Sequence, residues 1–143
     1  MAASKTYLVP VDFSKGSEAA LRFAVGLAKK DRSKLIILHV VSAVFAFPLE
    51  AGFGDIIERI EQDARQALTK FTKRFRLKPG TFRPLLTRAV EPASAIADQA
   101  KKSHAAMIVM GSHGRTGLQR LMIGSVAERT LRYAHCPVLI VKK

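Results

Sequence analysis

The chain has 143 residues, of which 48% are hydrophobic and 24% charged, a length and balance that predict one globular domain over residues 1–143. Its single cysteine, Cys136, excludes an internal disulfide; the lack of a long apolar run excludes a transmembrane helix, and the lack of a secretory signal predicts a cytoplasmic location. The 24 Lys and Arg against 11 Asp and Glu give a net charge of +13, which favours anionic partners, although basic residues that only decorate solvated helix faces explain such an excess equally well.

Apolar segments alternate with segments of helical periodicity along the whole chain. The predicted strands, in chain order, are 6–11, 35–41, 81–90, 106–110 and 137–141, and the predicted helices are 17–30, 56–75, one opening at Pro92, and 125–134. Apolar runs without alternation are typical of strands buried on both faces, whereas Pro84 assigns its strand to a sheet edge. The alternation predicts an α/β fold, a parallel five-stranded sheet covered on both faces by four helices.

Candidate ligand-binding residues follow three of these strands. In open parallel sheets, ligands bind beyond the carboxyl ends of the strands, where the strand order reverses. Val11-Asp12-Phe13-Ser14 follows the first strand, Val41-Ser42 the second, and Gly111-Ser112-His113-Gly114 the fourth. We therefore expect a ligand site at this edge of the sheet.

The stretch MGSHGRTGLQRLMIGSVAERT, residues 110–130, predicts a phosphate site. A side chain at Gly111 would block a ligand at the strand end, and Gly114 allows the chain to turn. Gly124-Ser125 stands where the last helix begins, and helix N-termini attract phosphate through unpaired amides. Arg115 and Arg120 can add charge-assisted hydrogen bonds.

Structural alternatives compete at several of these positions. Ser125-Val126-Ala127-Glu128 is also a capping box, in which the Ser125 oxygen accepts a hydrogen bond from its own helix. His113 is alternatively a solvent-exposed turn residue, and Arg115 and Arg120 are alternatively mobile surface groups.

The chain resembles the universal stress protein family. The resemblance rests on YLVPVDFSKGSEAAL at 7–21, LIILHVV at 35–41 and AAMIVMGSHGRTGLQRLMIGSVAERTLRYAHCPVLIV at 105–141. ATP-binding members of the family carry G-2x-G-9x-G-(S/T), and Gly111, Gly114, Gly124 and Ser125 match it. The resemblance implies an adenine nucleotide alpha hydrolase-like (Rossmann-like) open twisted sheet of strand order 3-2-1-4-5, with ATP as the ligand.

Site residues carry over from the family where this sequence matches it. The positions implied at the adenine and ribose are Pro10, Val11, Asp12, Val40, Met110 and Gly111. The positions implied around the phosphates, with Mg2+ or Mn2+ bound through those phosphates, are Ser112, His113, Gly114, Arg115, Gly124, Ser125 and Val126. Asp12 is alternatively a cap at the approach to the first helix. His39 is read instead as a hydrogen-bonded histidine within a buried strand.

The resemblance also implies a homodimer. The last strand, Pro137–Val141, lies at a sheet edge in the implied order and pairs antiparallel with a second copy across a two-fold axis. Cys136 is then a small packing residue near this interface. The apolar segment 42–55 is either a lid over the base or satellite packing.

Three functions follow. The leading one is an ATP-binding regulatory module of stress adaptation, which changes conformation or protein partner with ATP occupancy. The second is a slow ATP hydrolase, for which Asp12 and His113 are the only candidates near the phosphates; no P-loop sequence and no cluster with metal-ligand spacing occurs. The third is nucleic-acid or membrane association through a basic helix at 59–78, which the charge leaves open.

Overall fold

The protein was analysed as a computed structural model, which describes residues 3–43, 53–113 and 122–142, except for the side chain of Phe53. Its elements are β1 (Thr6–Pro10), α1 (Lys15–Asp31), β2 (Lys34–Ser42), α2 (Phe53–Lys73), β3 (Phe82–Ala89), α3 (Pro92–Lys102), β4 (Met107–Gly111), α4 (Ser125–Tyr133) and β5 (Val138–Val141). Every predicted strand and helix is present. Most of segment 42–55, residues 44–52, lies outside the described ranges.

The five strands form one parallel sheet of order β3-β2-β1-β4-β5, which confirms the predicted fold class and strand order. Tyr7 of β1 is aligned with Leu35 of β2 on one side and with Met107 of β4 on the other. The chain therefore leaves β1 in one direction for β2 and β3, and reaches β4 and β5 on the opposite side. The crevice between the carboxyl ends of β1 and β4 is the switch point at which such sheets bind ligands.

Each face of the sheet carries its own apolar core. Under α1 and α2, Val9, Ile37 and Val109 are fully buried, with Leu21 and Phe71 packed onto the same face. Leu8, Leu38 and Ile108 point to the other face, where Ile96 and Ala127 from α3 and α4 cover them. Successive residues of a strand point to opposite faces, so continuous apolar runs supply both cores.

The two outer strands differ from the three inner ones. In the described sheet β3 pairs only with β2, with Pro84 opposite Ile37. This confirms the edge position that the proline predicts, because proline has no N–H to donate to a second neighbour. Among the described residues, β5 pairs only with β4. Its four residues are all half-buried.

α2 departs from its prediction in two respects. The apolar stripe predicted over 56–75 is buried only at its C-terminal half: Phe71 is 4% exposed but Ile56 is 52% exposed. The helix also ends at Lys73, so the predicted basic helix 59–78 is wrong beyond that residue, and its last basic residues lie in the following turn. Arg74, in this turn, forms an ion pair of 2.9 Å with Glu18 of α1.

A polar contact joins the start of β1 to the end of α1. The Tyr7 hydroxyl donates to the Asp31 carboxylate, and the Ser33 N–H donates to Asp31 Oδ1 at 3.1 Å. Hydrogen bonding by Ser33, and next by Tyr7, lowers the pKa of Asp31, while the hydrogen bond to Asp31 is the largest cause that raises the pKa of Tyr7.

Replacing Tyr7 by phenylalanine is expected to lower the midpoint of thermal unfolding by a few degrees at pH 7. Because the pKa of Asp31 is lower in the folded than in the unfolded chain, its contribution is present above the ordinary carboxyl pKa of about 4 and is lost as the pH falls through the folded value. The difference in thermal midpoint between Y7F and the parent should therefore shrink as the pH falls below about 4 towards the folded pKa of Asp31. Tyr133→Phe, at a tyrosine that is 45% exposed, is the matched control, and equal effects of both variants on thermal unfolding would contradict the assignment.

Candidate functional site

A cavity of about 260 Å³ opens at the carboxyl ends of β1, β2 and β4 and at the N-terminus of α4. Eleven of the thirteen predicted site residues line it: Pro10, Val11, Asp12, Val40, Met110, Gly111, Ser112, His113, Gly124, Ser125 and Val126. The other two, Gly114 and Arg115, lie outside the described residues, as does Arg120. The residues that line it without having been assigned to it from the sequence are Ser17, Leu38, His39, Pro92, Ile96 and Ala127.

The turn from β1 into α1 forms one wall. Ser14 is the N-cap of α1 and accepts a hydrogen bond from Ser17 N–H at 3.2 Å, while Asp12 Oδ1 accepts from Ser14 N–H at 3.0 Å. Asp12 therefore orients the capping residue, as its structural alternative supposed, and lines the cavity at the same time. Phe13 between them has φ of 66°, a left-handed conformation that a bulky residue holds only where its surroundings determine it.

The surroundings of Phe13 connect this turn to β2. Its ring lies 4.4 Å from the ring of His39 and 5.4 Å, edge to face, from that of Phe71. His39 Nδ1 lies 2.8 Å from the carbonyl oxygen of Val11. The reading of His39 as a hydrogen-bonded histidine is correct, yet the residue also lines the cavity, which the apolar run around it did not indicate.

The N-terminus of α4 forms the opposite wall. Gly124 is the N-cap, and its carbonyl accepts the first helical hydrogen bond from Glu128 N–H at 2.9 Å. The capping-box alternative is wrong, because Ser125 is the first helical residue and not the cap. Helical geometry provides no partner for the N–H groups of residues 125–127, which lie at the positive end of the helix dipole.

Gly124 also joins the two described parts of the glycine-rich stretch, residues 110–113 and 122–130, by a hydrogen bond. Its N–H donates to the carbonyl oxygen of Ser112 at 2.6 Å, so this amide is engaged within the protein. Ser112 Oγ lies 3.1 Å from His113 Nδ1, and Ser112 is buried whereas His113 is half-buried. β4 and α4 thus meet directly at the cavity.

The structure provides a different reason for glycine at 111. A β carbon there would lie 2.8 Å from the carbonyl carbon and oxygen of Gly16, and one at Gly16 would lie 2.5 Å from the carbonyl oxygen of His113. The start of α1 and the end of β4 therefore pack backbone against backbone. A side chain at 111 would therefore conflict with α1. The expectation that it would also block a ligand stays a prediction, since Gly111 lines the cavity.

Neither a metal centre nor a membrane span stands out in the part of the chain that the structure describes. No group of three or more His, Cys, Asp or Glu side chains is placed to hold a metal ion among residues 3–43, 53–113 and 122–142. Over the same ranges, no helix combines the length and apolar character that crossing a bilayer requires. Cys136 is half-buried, and burial is the main cause that raises the pKa of its thiol, which fits a packing residue.

Comparison with known proteins identifies the class to which this fold and cavity belong. The model of the universal stress protein family matches residues 4–142, and the chain belongs to that family. Universal stress protein MJ0531 of Methanocaldococcus jannaschii is 36% identical over 141 residues, which cover 97% of this chain and 82% of that protein.

Solved structures agree with this assignment. The structure of MJ0577 from the same archaeon is 25% identical and superposes with a TM-score of 0.84, covering 99% of this chain and 98% of that one. A universal stress protein from Archaeoglobus fulgidus in complex with dAMP is 26% identical, with a TM-score of 0.68 over 99% of this chain and all of that one.

Proposed function

We propose that this protein is an ATP-binding universal stress protein, a regulatory module made of one domain that responds to ATP occupancy. The observation that carries the proposal is a single cavity with two chemically different sides. The carboxyl ends of β1, β2 and β4 supply a mainly apolar side, and the first turn of α4 supplies backbone amides at the positive end of a helix dipole. An adenine nucleotide has the matching division between an apolar base and an anionic phosphate chain.

The base and ribose fit the strand side of the cavity. Val40 and Met110 lie there, with Pro92 and Ile96 of α3, and offer apolar contact to a purine. Asp12 lines the same side, and in this proposal its carboxylate accepts a hydrogen bond from a ribose hydroxyl.

The phosphates fit the α4 side. The N–H groups of residues 125–127 have no intrahelical acceptor, and the Ser125 side chain is exposed at the cavity. Because the described residues contain no carboxylate or histidine cluster able to hold a cation by itself, Mg2+ or Mn2+ would be held chiefly through the phosphates, with the Ser112 and Ser125 hydroxyls as added oxygen ligands. The ion would neutralise phosphate charge.

The relatives support the proposal that the ligand is a nucleotide, and experiment must determine how many phosphates it carries. The Archaeoglobus fulgidus protein was solved with dAMP, which shares the adenine ring and one phosphate with ATP. A bound triphosphate requires further cationic groups, and the sequence supplies Arg115 and Arg120 between the glycines.

Isothermal titration calorimetry with ATP, ADP, AMP and adenosine, with and without Mg2+, tests the proposal. We expect one site per chain with micromolar or tighter affinity for ATP, weakening as phosphates are removed. Equal affinity for ATP and adenosine would contradict the phosphate assignment, and no binding would contradict the proposal. Mass spectrometry of the bound nucleotide over several hours separates the regulator, which keeps ATP intact, from the slow hydrolase, which accumulates ADP.

We also propose that the protein acts as a homodimer through β5. Within the described residues this strand pairs with β4 on one side and with no strand on the other, and an unpaired strand edge is a ready partner for a second copy. Light scattering is expected to report a mass twice the 15.7 kDa of the chain. A mass equal to one chain at micromolar concentration would contradict this interface.

A further inference from the structure

The end of the sheet opposite the cavity gathers the ends of three helices and the starts of four strands. Backbone hydrogen bonds of 2.8–3.0 Å link neighbouring segments there: Lys34 N–H to Lys5 C=O, Leu35 N–H to Thr81 C=O, and Ala106 N–H to Thr6 C=O. The turns that follow α1, α2 and α3 therefore lie side by side and form one surface.

This surface is strongly basic. Residues 29–34, 73–78 and 101–104 contain ten Lys and Arg side chains and a single carboxylate, that of Asp31, which accepts hydrogen bonds from Tyr7 and Ser33. We call six of its exposed residues the basic face: Arg32, Lys34, Arg76, Lys78, Lys101 and Lys102.

Part of this charge has a local explanation. A helix C-terminus carries roughly half a negative charge, so Lys and Arg in the last turn stabilise the helix. The last-turn residues of α1 and α3, Lys29, Lys30, Lys101 and Lys102, fit this explanation. It does not extend to Lys34 and Lys78, which lie beyond the helix ends.

Stabilisation of helix C-termini also does not explain why three basic residues of this surface have the left-handed conformation. Arg32 has φ of 59°, Arg76 of 50° and His104 of 51°, a region in which a β carbon is disfavoured and glycine is the usual residue. All three lie in turns of this one surface, after α1, α2 and α3 respectively.

Two of these positions belong to a defined helix-ending motif. Ser33 N–H donates to Ala28 C=O at 3.0 Å around Arg32, and Ala105 N–H donates to Ala100 C=O at 2.9 Å around His104. Both are the six-to-one hydrogen bond of the Schellman motif. In this motif the residue just before the donor has the left-handed conformation and is usually glycine. A long basic side chain at a site where glycine would relieve strain indicates a use outside the local structure.

We propose that the basic face binds the phosphate backbone of double-stranded DNA without reading base sequence. Base edges are read by a helix or a two-stranded ribbon lying in the major groove, whereas this surface consists of turns at the C-terminal ends of α1, α2 and α3. The turns that carry the basic face lead into β2, β3 and β4, and β3 and β4 are three strand spacings apart. At about 4.8 Å per spacing the charges spread over roughly 14 Å, a width over which a duplex presents several phosphates.

Two other anionic partners fit less well. Stacking of single-stranded bases needs exposed aromatic rings, and lasting membrane attachment needs apolar groups that insert besides basic ones. Residues 29–34, 73–83 and 101–106, all described, contain no exposed Phe, Tyr or Trp and no other exposed large apolar side chain. Because the cavity lies at the other end of the sheet, DNA and nucleotide would bind without overlap.

The test compares two doubly substituted proteins that each lose two positive charges. In R32G/R76G the substitutions remove basic-face charges and relieve the left-handed backbone; in R59Q/R65Q they remove exposed charges from α2 nearer the cavity. Binding is measured by fluorescence anisotropy with a labelled 20-base-pair duplex of arbitrary sequence, from 0.05 to 0.3 M salt, and the thermal midpoint is measured alongside.

R32G/R76G is expected to bind about 10- to 100-fold more weakly at 0.1 M salt, with a slope of log affinity against log salt less steep by about 1.8. Its thermal midpoint should be unchanged or higher, which separates lost contacts from unfolding. R59Q/R65Q should bind within about threefold of the parent. Equal loss in both variants, absence of binding by the parent at 0.1 M salt, or binding to phosphatidylserine vesicles but not to the duplex would each overturn the proposal.

Discussion

Replacing Gly124 by glutamate is expected to weaken ATP binding by about a thousandfold while the fold is retained. Gly124 has φ of −66° and ψ of 157°, an extended conformation that any residue adopts, so the backbone accepts a side chain. Gly124 itself is buried and lines the cavity, and we expect the new carboxylate to enter the space proposed for phosphate.

The magnitude follows from charge. Two unit charges about 4 Å apart at an effective dielectric constant of about 20 repel by roughly 4 kcal/mol, which corresponds to about three decades of affinity. The carboxylate would also accept hydrogen bonds from the first-turn amides of α4, because anions are stabilised at a helix N-terminus. It would then occupy the donors that the phosphates need.

Calorimetry with ATP measures the loss, and thermal unfolding without ATP reports whether the fold is intact. Gly26→Glu is the matched control, since Gly26 lies on the exposed side of α1, where a β carbon would have no atom within 4 Å, and the substitution adds the same charge. If ATP raises the thermal midpoint of G124E as much as that of G26E, the phosphate site is elsewhere.

Much of the fold could be predicted because burial leaves a direct trace in the sequence. The runs at 35–41 and 106–110 are apolar without alternation, which is what an inner strand of a parallel sheet requires, and Pro84 identified one edge. No comparable pattern in the sequence indicates the strand order. It came from family resemblance, because local sequence does not specify which strands become neighbours.

The residues of the candidate site could be predicted from the sequence where they directly follow strands. Asp12 and Gly111 stand at strand ends, so the topology alone brings them to one edge of the sheet. His39 and Ser17 could not be assigned, because His39 sits inside an apolar run and Ser17 inside a helical pattern. Their position at the cavity depends on how β1, β2 and α1 pack.

The least predictable feature is the pair of glycines where α1 meets β4. Gly16 reads as an ordinary residue near a helix start, and its nearest neighbour, His113, is far away along the chain. The sequence contains no local signal for such a contact. It becomes visible only when the distance from a β carbon to the opposing backbone is known.

Replacing Gly16 by alanine is therefore expected to lower the free energy of unfolding by about 1–3 kcal/mol, the usual cost of forcing a methyl group into a packed interior. The methyl carbon would lie 2.5 Å from the carbonyl oxygen of His113. That atom belongs to backbone and cannot rotate away, so α1 or the segment after β4 must shift.

Gly26→Ala, in the same helix, is expected to have the opposite sign. Gly26 is exposed and a β carbon there meets nothing within 4 Å, so alanine should raise the free energy of unfolding by about 0.5–1 kcal/mol through its better helix propensity. Urea titration of both variants measures the two changes. Stabilisation by both substitutions would show that α1 and β4 are less closely packed than this contact requires.

The Gly16 substitution also connects packing to binding. A shift of His113 would move Ser112, whose carbonyl holds the N–H of Gly124 at 2.6 Å, and so displace the first turn of α4 from the end of β4. G16A should then lose ATP affinity at temperatures where it remains folded, whereas G26A should not. Unchanged affinity in a destabilised G16A would mean that the α4 amides keep their position without support from α1.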